Sequence, residues 1–213
     1  LSSNQPYAIA VLISGGGTNL QSIIDHCQSG SIPATIGFVA SNKATAYGLE
    51  RARLNGIPAF HISARTHQSQ QGAEAELYRL IRQYHVQLLC LAGYLKKISG
   101  WLISRMPGRI INIHPGILPF LGGEGLYGHH VHQKVLDLNM KISGVTVHFV
   151  DEHYDHGPII AQECVPVLPE DDCETLARRV LQVEHELYPR VIGWFAQNKI
   201  RVVNRRVLID DQG

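Results

Sequence analysis

Asn112 and His114 stand two residues apart at the end of an apolar run, Ile110-Ile111-Asn112-Ile113-His114-Pro115. Alternate residues of a strand point to the same side, so an amide and an imidazole would face one ligand together. Both can hydrogen-bond an oxygen as it gains negative charge, and the imidazole can also move a proton, which suits acyl transfer. The bland alternative is a polar strand end with a satisfied histidine. A carboxylate follows in the turn Asp151-Glu152-His153-Tyr154-Asp155-His156-Gly157-Pro158. If Asp155 reaches His114, it would favour the imidazolium and raise its pKa. Otherwise the segment is a solvated acidic turn, and Asp151 and Glu152 are read as turn residues in either case. His148 lies on the run leading to that turn, either as a donor behind the site or as an inward structural histidine.

Gly15-Gly16-Gly17-Thr18-Asn19 ends the first apolar run and opens a helical stretch. Glycines let a ligand approach the backbone, the N–H groups of a helix start attract anions, and Thr18 and Asn19 can donate to phosphate oxygens. A dinucleotide fingerprint needs glycine where Leu20 stands and an acid where Ser41-Asn42-Lys43 is found. A nucleoside-triphosphate loop needs a lysine that is not there. What is left is a single phosphate on a small substrate, or a tight turn capped by Thr18.

The elements that must position these residues alternate in kind. Tyr7 to Ile13, Ala34 to Ala40, Phe60 to Ile62, Gln87 to Ala92 and Arg109 to Ile113 read as strands. Between them Thr18 to Cys27, Ala46 to Asn55, Ala73 to His85 and Ile98 to Met106 have helical spacing. This order predicts an α/β fold, doubly wound around a mostly parallel, Rossmann-like sheet. After residue 128 a helix at His130 to Leu138 precedes an antiparallel pair, Gly144 to Val150 and Ile159 to Val167. A helix from Cys173 to Gln197 and a strand pair around Arg201 to Ile209 complete the pattern.

The 213 residues are 45% hydrophobic and 17% charged, enough apolar surface to exclude intrinsic disorder. A net charge of +1 supplies no field for nucleic acid or a membrane surface, so neither is an expected partner. No apolar run reaches the ~18 residues of a spanning helix, and the polar start over residues 1–6 does not read as a signal peptide. The four cysteines show no C-x-x-C spacing and read as reduced thiols of a cytoplasmic protein, with Cys90 and Cys164 as small buried hydrophobes. His129, His130 and His132 lack the i, i+4 pairing of a helical metal site and read as solvated. No metal is expected.

Taken in order, Val11-Leu12-Ile13-Ser14-Gly15-Gly16-Gly17-Thr18-Asn19-Leu20, Ser41-Asn42-Lys43, Leu91-Ala92-Gly93-Tyr94, Asn112-Ile113-His114-Pro115, Val147-His148-Phe149-Val150 and Asp155-His156-Gly157-Pro158 carry a resemblance. From about residue 7 to residue 198 the chain resembles the phosphoribosylglycinamide formyltransferase family, part of the wider 10-formyltetrahydrofolate-using superfamily. The resemblance implies a single domain over 1–213, with a phosphate-binding half over about 7–113 and a folate and catalytic half over about 114–213. It implies 10-formyltetrahydrofolate as cosubstrate, phosphoribosylglycinamide as acceptor, and a place in purine synthesis. A homodimer is compatible with it.

By position, the resemblance assigns the phosphate to Gly17, Thr18 and Asn19, and the ribose hydroxyls to Glu184. As a bare sequence feature, Glu184 would rank as an exposed helix residue. Asn112 and His114 would flank the formyl group, His114 as general acid, with Asp155 keeping it protonated. Leu95, Lys96, Lys97 and Ile98 would grip the pterin, and Leu91 and Val150 would wall the folate pocket. An arginine that some members place on the folate tail is replaced near Gln70. The glycine-rich stretch within Phe120 to His132 reads as a lid. The rival readings are a formyltetrahydrofolate deformylase, which usually carries a further amino-terminal domain, an enzyme formylating methionyl-tRNA, and an inactive ligand-binding relative.

Overall fold

The computed structural model describes residues 6–210, so the polar start read over residues 1–6 lies, apart from Pro6, outside the described residues. Five parallel strands come first: β1 (Tyr7–Ile13), β2 (Ala34–Ser41), β3 (Ala59–His61), β4 (Leu88–Leu91) and β5 (Ile110–His114). Between them run α1 (Thr18–Gln28), α2 (Tyr47–Leu54), α3 (Gln70–Gln83) and α4 (Gly100–Ile103). Then α5 (His129–Asp137), β6 (Ile142–Phe149), β7 (Ile159–Pro166) and α6 (Cys173–Ala196) follow, with β8 (Ile200–Val203) and β9 (Arg206–Ile209) as a separate antiparallel pair.

The seven-stranded sheet has the order β3-β2-β1-β4-β5-β6-β7, with β6 antiparallel to both neighbours. Strand order reverses on either side of β1 and β4, and in open sheets of this kind the crevice at that point receives ligands. β1, β4 and β5 are nearly continuous apolar runs because both faces are covered. One face packs Ile9, Val11, Ile13, Cys90 and Ile111 against α1 and α6, while the other packs Ala10, Leu12, Leu89 and Ile110 against α3 and α4.

A tyrosine of helix α6 ties it to the middle of the sheet. Tyr188 is fully buried, and its hydroxyl donates to the carbonyls of Leu91 (2.9 Å) and Ile111 (3.2 Å), the strands that carry the site. At its start, Asp172 and Thr175 form a reciprocal capping box. Three expectations change. The helix read over Ile98 to Met106 is a single turn, Gly100–Ile103, whose Ser99 cap is tied to the buried Glu74 carboxylate of α3. β3 is one residue earlier than its apolar run. Cys164 is exposed, because β7 is the edge strand and Cys164 lies on its solvent side.

Candidate active site

The register of β5 and β6 sets Asn112 directly opposite His148 and His114 opposite Thr146. Asn112 Nδ2 and His148 Nε2 are 3.2 Å apart. His148 Nδ1 lies 2.8 Å from the Phe149 carbonyl and donates to it, which fixes the ring so that Nε2 faces Asn112 and the turn beyond. The loop between β6 and β7 brings Asp155 over this pair. Its Oδ2 lies 3.6 Å from His114 Nδ1 and its Oδ1 lies 3.5 Å from His148 Nε2. Oδ2 also accepts from the Gly123 N–H at 3.0 Å. Asp155 has φ 52°, a left-handed conformation that aspartate tolerates better than most residues. Thus the amide, two imidazoles and the carboxylate converge, and His148 belongs to the site.

The protonation expected of His114 is corrected. Burial lowers its pKa below the ordinary histidine value, outweighing Asp155 and the Leu121 carbonyl, which pull the other way. Its Nε2 donates to that carbonyl at 2.7 Å, so the ring is held between the 115–128 loop and Asp155. For Asp155, burial works to raise the pKa, but His148, His114 and the Gly123 N–H together hold it below the usual carboxylate range.

The glycine turn meets the same cavity from β1. Helix α1 has Gly17 as its N-cap in the left-handed region, φ 73°, and no side chain caps it. The turn capped by Thr18 is therefore not what forms, and the first N–H groups of α1 are left without a side-chain partner. A side chain at Gly17 would come within 2.8 Å of the Gly48 Cα, so this glycine lets α1 and α2 meet. Gly17 itself does not line the cavity, whereas Thr18 and Asn19 do. Arg51 from α2 donates to the Gly16 carbonyl at 2.8 Å and steadies the turn.

Glu184 departs from the exposed helix residue that its bare sequence context suggests. It is buried on α6, 7% exposed, and faces Asn19, whose Nδ2 donates to it at 3.3 Å. Burial pushes its pKa up to about 7 despite that bond. Asn19 Oδ1 is buried without a partner. A carboxyl and an amide oxygen short of donors are a receptor for hydroxyl groups.

Thr18, Asn19, Asn112, His114, His148, Asp155 and Glu184 all border one cavity of about 690 Å³. Leu91, Ile98 and Val150 give it apolar walls, and Leu95, Lys96 and Lys97 line it together with the Gly123–Gly128 segment. Lys97 sits 5.8 Å over the Tyr154 ring at the rim. Gln70 does not border it. His132, expected to be solvated, is instead 4% exposed beside Val131 and Val135, and burial takes its pKa down to about 4. Its place three residues before Val135 on a helix was the available signal. The Leu121 carbonyl and Gly123 N–H had none, since backbone atoms leave no mark on residue type.

An amide, imidazoles and a carboxylate at the edge of a doubly wound sheet, sharing a cavity with an uncapped helix start, define an acyl-transfer type of site. Residues 7–192 match the formyl transferase family, and the chain belongs to that family. It is 39% identical to the phosphoribosylglycinamide formyltransferase of Escherichia coli (strain K12) over 96% of this chain and 94% of that one. It is similar to the crystal structure of glycinamide ribonucleotide transformylase 1 from Symbiobacterium toebii, with a TM-score of 0.91 and 42% identity over 98% of this chain and 96% of that one. A formyltetrahydrofolate deformylase from Pseudomonas syringae pv. tomato, at 24% identity and a TM-score of 0.87, shares the fold over 98% of this chain and 67% of that one. Among the described residues no helix is long and apolar enough to cross a membrane.

Proposed function

We propose that the chain transfers the formyl group of 10-formyltetrahydrofolate to the amine of 5′-phosphoribosylglycinamide, a step of purine synthesis. The observation that carries this reading is the sharing of one cavity by two unlike subsites. Thr18, Asn19 and Glu184 suit a phosphorylated sugar, while Asn112, His114, His148 and Asp155 suit a carbonyl that gains charge. Gly17 serves the first subsite by shaping the turn.

The apolar walls at Leu91, Ile98 and Val150, edged by Leu95, Lys96 and Lys97, fit a flat heteroaromatic ring with polar edges. The folate, when bound, supplies a formyl group on a nitrogen that can depart. As the acceptor amine adds to the formyl carbon, its oxygen becomes negative, and Asn112 can turn an N–H toward it. That charge also raises the proton affinity of His114, countering the burial that keeps it neutral, and Asp155 stabilises the imidazolium that results. The proton lost by the amine reaches the departing nitrogen through His114 or water held by Asp155. Much of the acceleration comes from holding donor and acceptor side by side, where effective molarities reach about 10⁵ M and above.

A coupled assay tests this. Tetrahydrofolate should appear with 10-formyltetrahydrofolate only when phosphoribosylglycinamide is present. Release of formate without the acceptor would make the chain a deformylase, and no product under either condition would make it a binding relative.

A further inference from the structure

The turn between β6 and β7 holds a second group of side chains that formyl transfer does not use. Asp151, His153 and His156 present one carboxylate oxygen and two imidazole nitrogens, all within 4.8 Å of one another. Asp151 Oδ2 and His156 Nδ1 are 2.9 Å apart, and the His153 and His156 rings stand 5.4 Å apart. The other oxygen of Asp151 is taken by the His153 N–H at 2.9 Å, which fixes the carboxylate and leaves Oδ2 to face outward from that bond. Both histidines are exposed, so their rings can rotate without disturbing the core.

We propose that Asp151, His153 and His156 bind a divalent transition-metal ion of the zinc class, and that its binding slows formyl transfer. Two imidazoles and a carboxylate form a donor set that zinc, cobalt, nickel and copper accept, whereas magnesium and calcium prefer oxygen alone. Bond lengths of about 2.0–2.2 Å need donors about 3.3–3.5 Å apart, so Asp151 Oδ2 and His156 Nδ1, now 2.9 Å apart, must part slightly while the wider separations, up to 4.8 Å, close in, movements that exposed side chains allow. Three protein donors leave a fourth position for water.

The link to turnover follows from where the ligands sit. They bracket Asp155 on the same short turn, and Asp151 and His153 also border the cavity. An ion tying 151, 153 and 156 together would fix the turn in one shape and set two positive charges beside the Asp155 carboxylate. Reshaping the turn draws Asp155 away from the position in which its Oδ2 takes the Gly123 N–H and faces His114. This second half of the proposal rests on the formyl-transfer reading, while the metal site itself does not.

Calorimetric titration of the whole chain with zinc chloride separates the two. Zinc should bind with one strong site per chain, magnesium should give no saturable heat, and His153→Ala and His156→Ala should each weaken zinc at least about tenfold. Zinc held elsewhere, for example by His129 and Cys173, would leave the affinity of both variants unchanged and overturn the site, as would the absence of binding. In the formyl-transfer assay, zinc should slow the wild-type chain over the concentration range of its binding and leave the rate of His156→Ala at its zinc-free value. Turnover unaffected in a wild-type chain shown to be loaded overturns the inhibition. A chain with no formyl-transfer activity at all would defeat the functional reading and leave the calorimetric result standing.

Discussion

Asp155 meets both histidines and a backbone N–H with only two oxygens: Oδ2 takes the Gly123 N–H and faces His114, and Oδ1 faces His148. An asparagine there could keep the oxygen that takes the Gly123 N–H, but it would carry no charge to hold an imidazolium. Asp155→Asn should therefore lower kcat by about 10²–10⁴-fold with KM for either substrate changed only a few-fold, as measured by steady-state kinetics. Near-normal kcat would remove Asp155 from proton transfer. Glu184 makes a different kind of residue-level statement. Among the described residues Asn19 is its one side-chain donor, and sugar hydroxyls would favour its ionised form, so binding of the phosphorylated acceptor near pH 6 should release protons. Calorimetry in two buffers of different ionisation enthalpy reads that release directly, and Glu184→Gln should lower it to the part that comes from the phosphate of the acceptor.

At the scale of elements, the start of α1 depends on a close approach that only glycine permits. Gly17→Ala would place a methyl group against the Gly48 backbone and hold alanine at φ 73°. A loss of about 1–3 kcal/mol of stability in urea unfolding is expected, together with weaker binding of the phosphorylated acceptor. The elements themselves were largely readable, because β1, β4 and β5 are buried on both faces and their runs are correspondingly apolar. Asn112 and His114 stand out in the sequence for the same reason, as polar residues where the strand pattern calls for apolar ones. What the sequence hid has equally physical causes. The burial of Glu184 comes from the seating of α6 on α1, a tertiary packing that no local pattern records. The depressed pKa of His114 is a balance between burial and Asp155, and residue types alone do not say which prevails. Cys164 is exposed because β7 has a neighbour on one side only.

Across the whole molecule, two buried titratable groups on the cavity wall act on stability in opposite directions. Glu184 has a folded pKa of about 7 against an ordinary 4.5, so the folded chain keeps a proton that the unfolded chain releases. Its contribution is complete below 4.5 and is lost as pH rises through 7, by on the order of 3 kcal/mol. His132 has a folded pKa of about 4 against an ordinary 6.5, so its contribution is complete above 6.5 and is lost as pH falls through 4. Over the overlap the two slopes oppose each other. Relative to the wild-type chain, Glu184→Gln should gain stability as pH rises from 4.5 to 7, and His132→Gln should gain it as pH falls from 6.5 to 4. Urea unfolding at a series of pH values checks both, and parallel curves for wild type and variants would refute the assignment.

The facing of Asn112 and His148 across β5 and β6 has an evolutionary corollary. Their meeting is a matter of counting along two ribbons, so one residue added or deleted within β6 ahead of His148 would swing that imidazole to the far side of the pleat. The tally from Ile142 to His148 therefore has to stay fixed for the chemistry to survive.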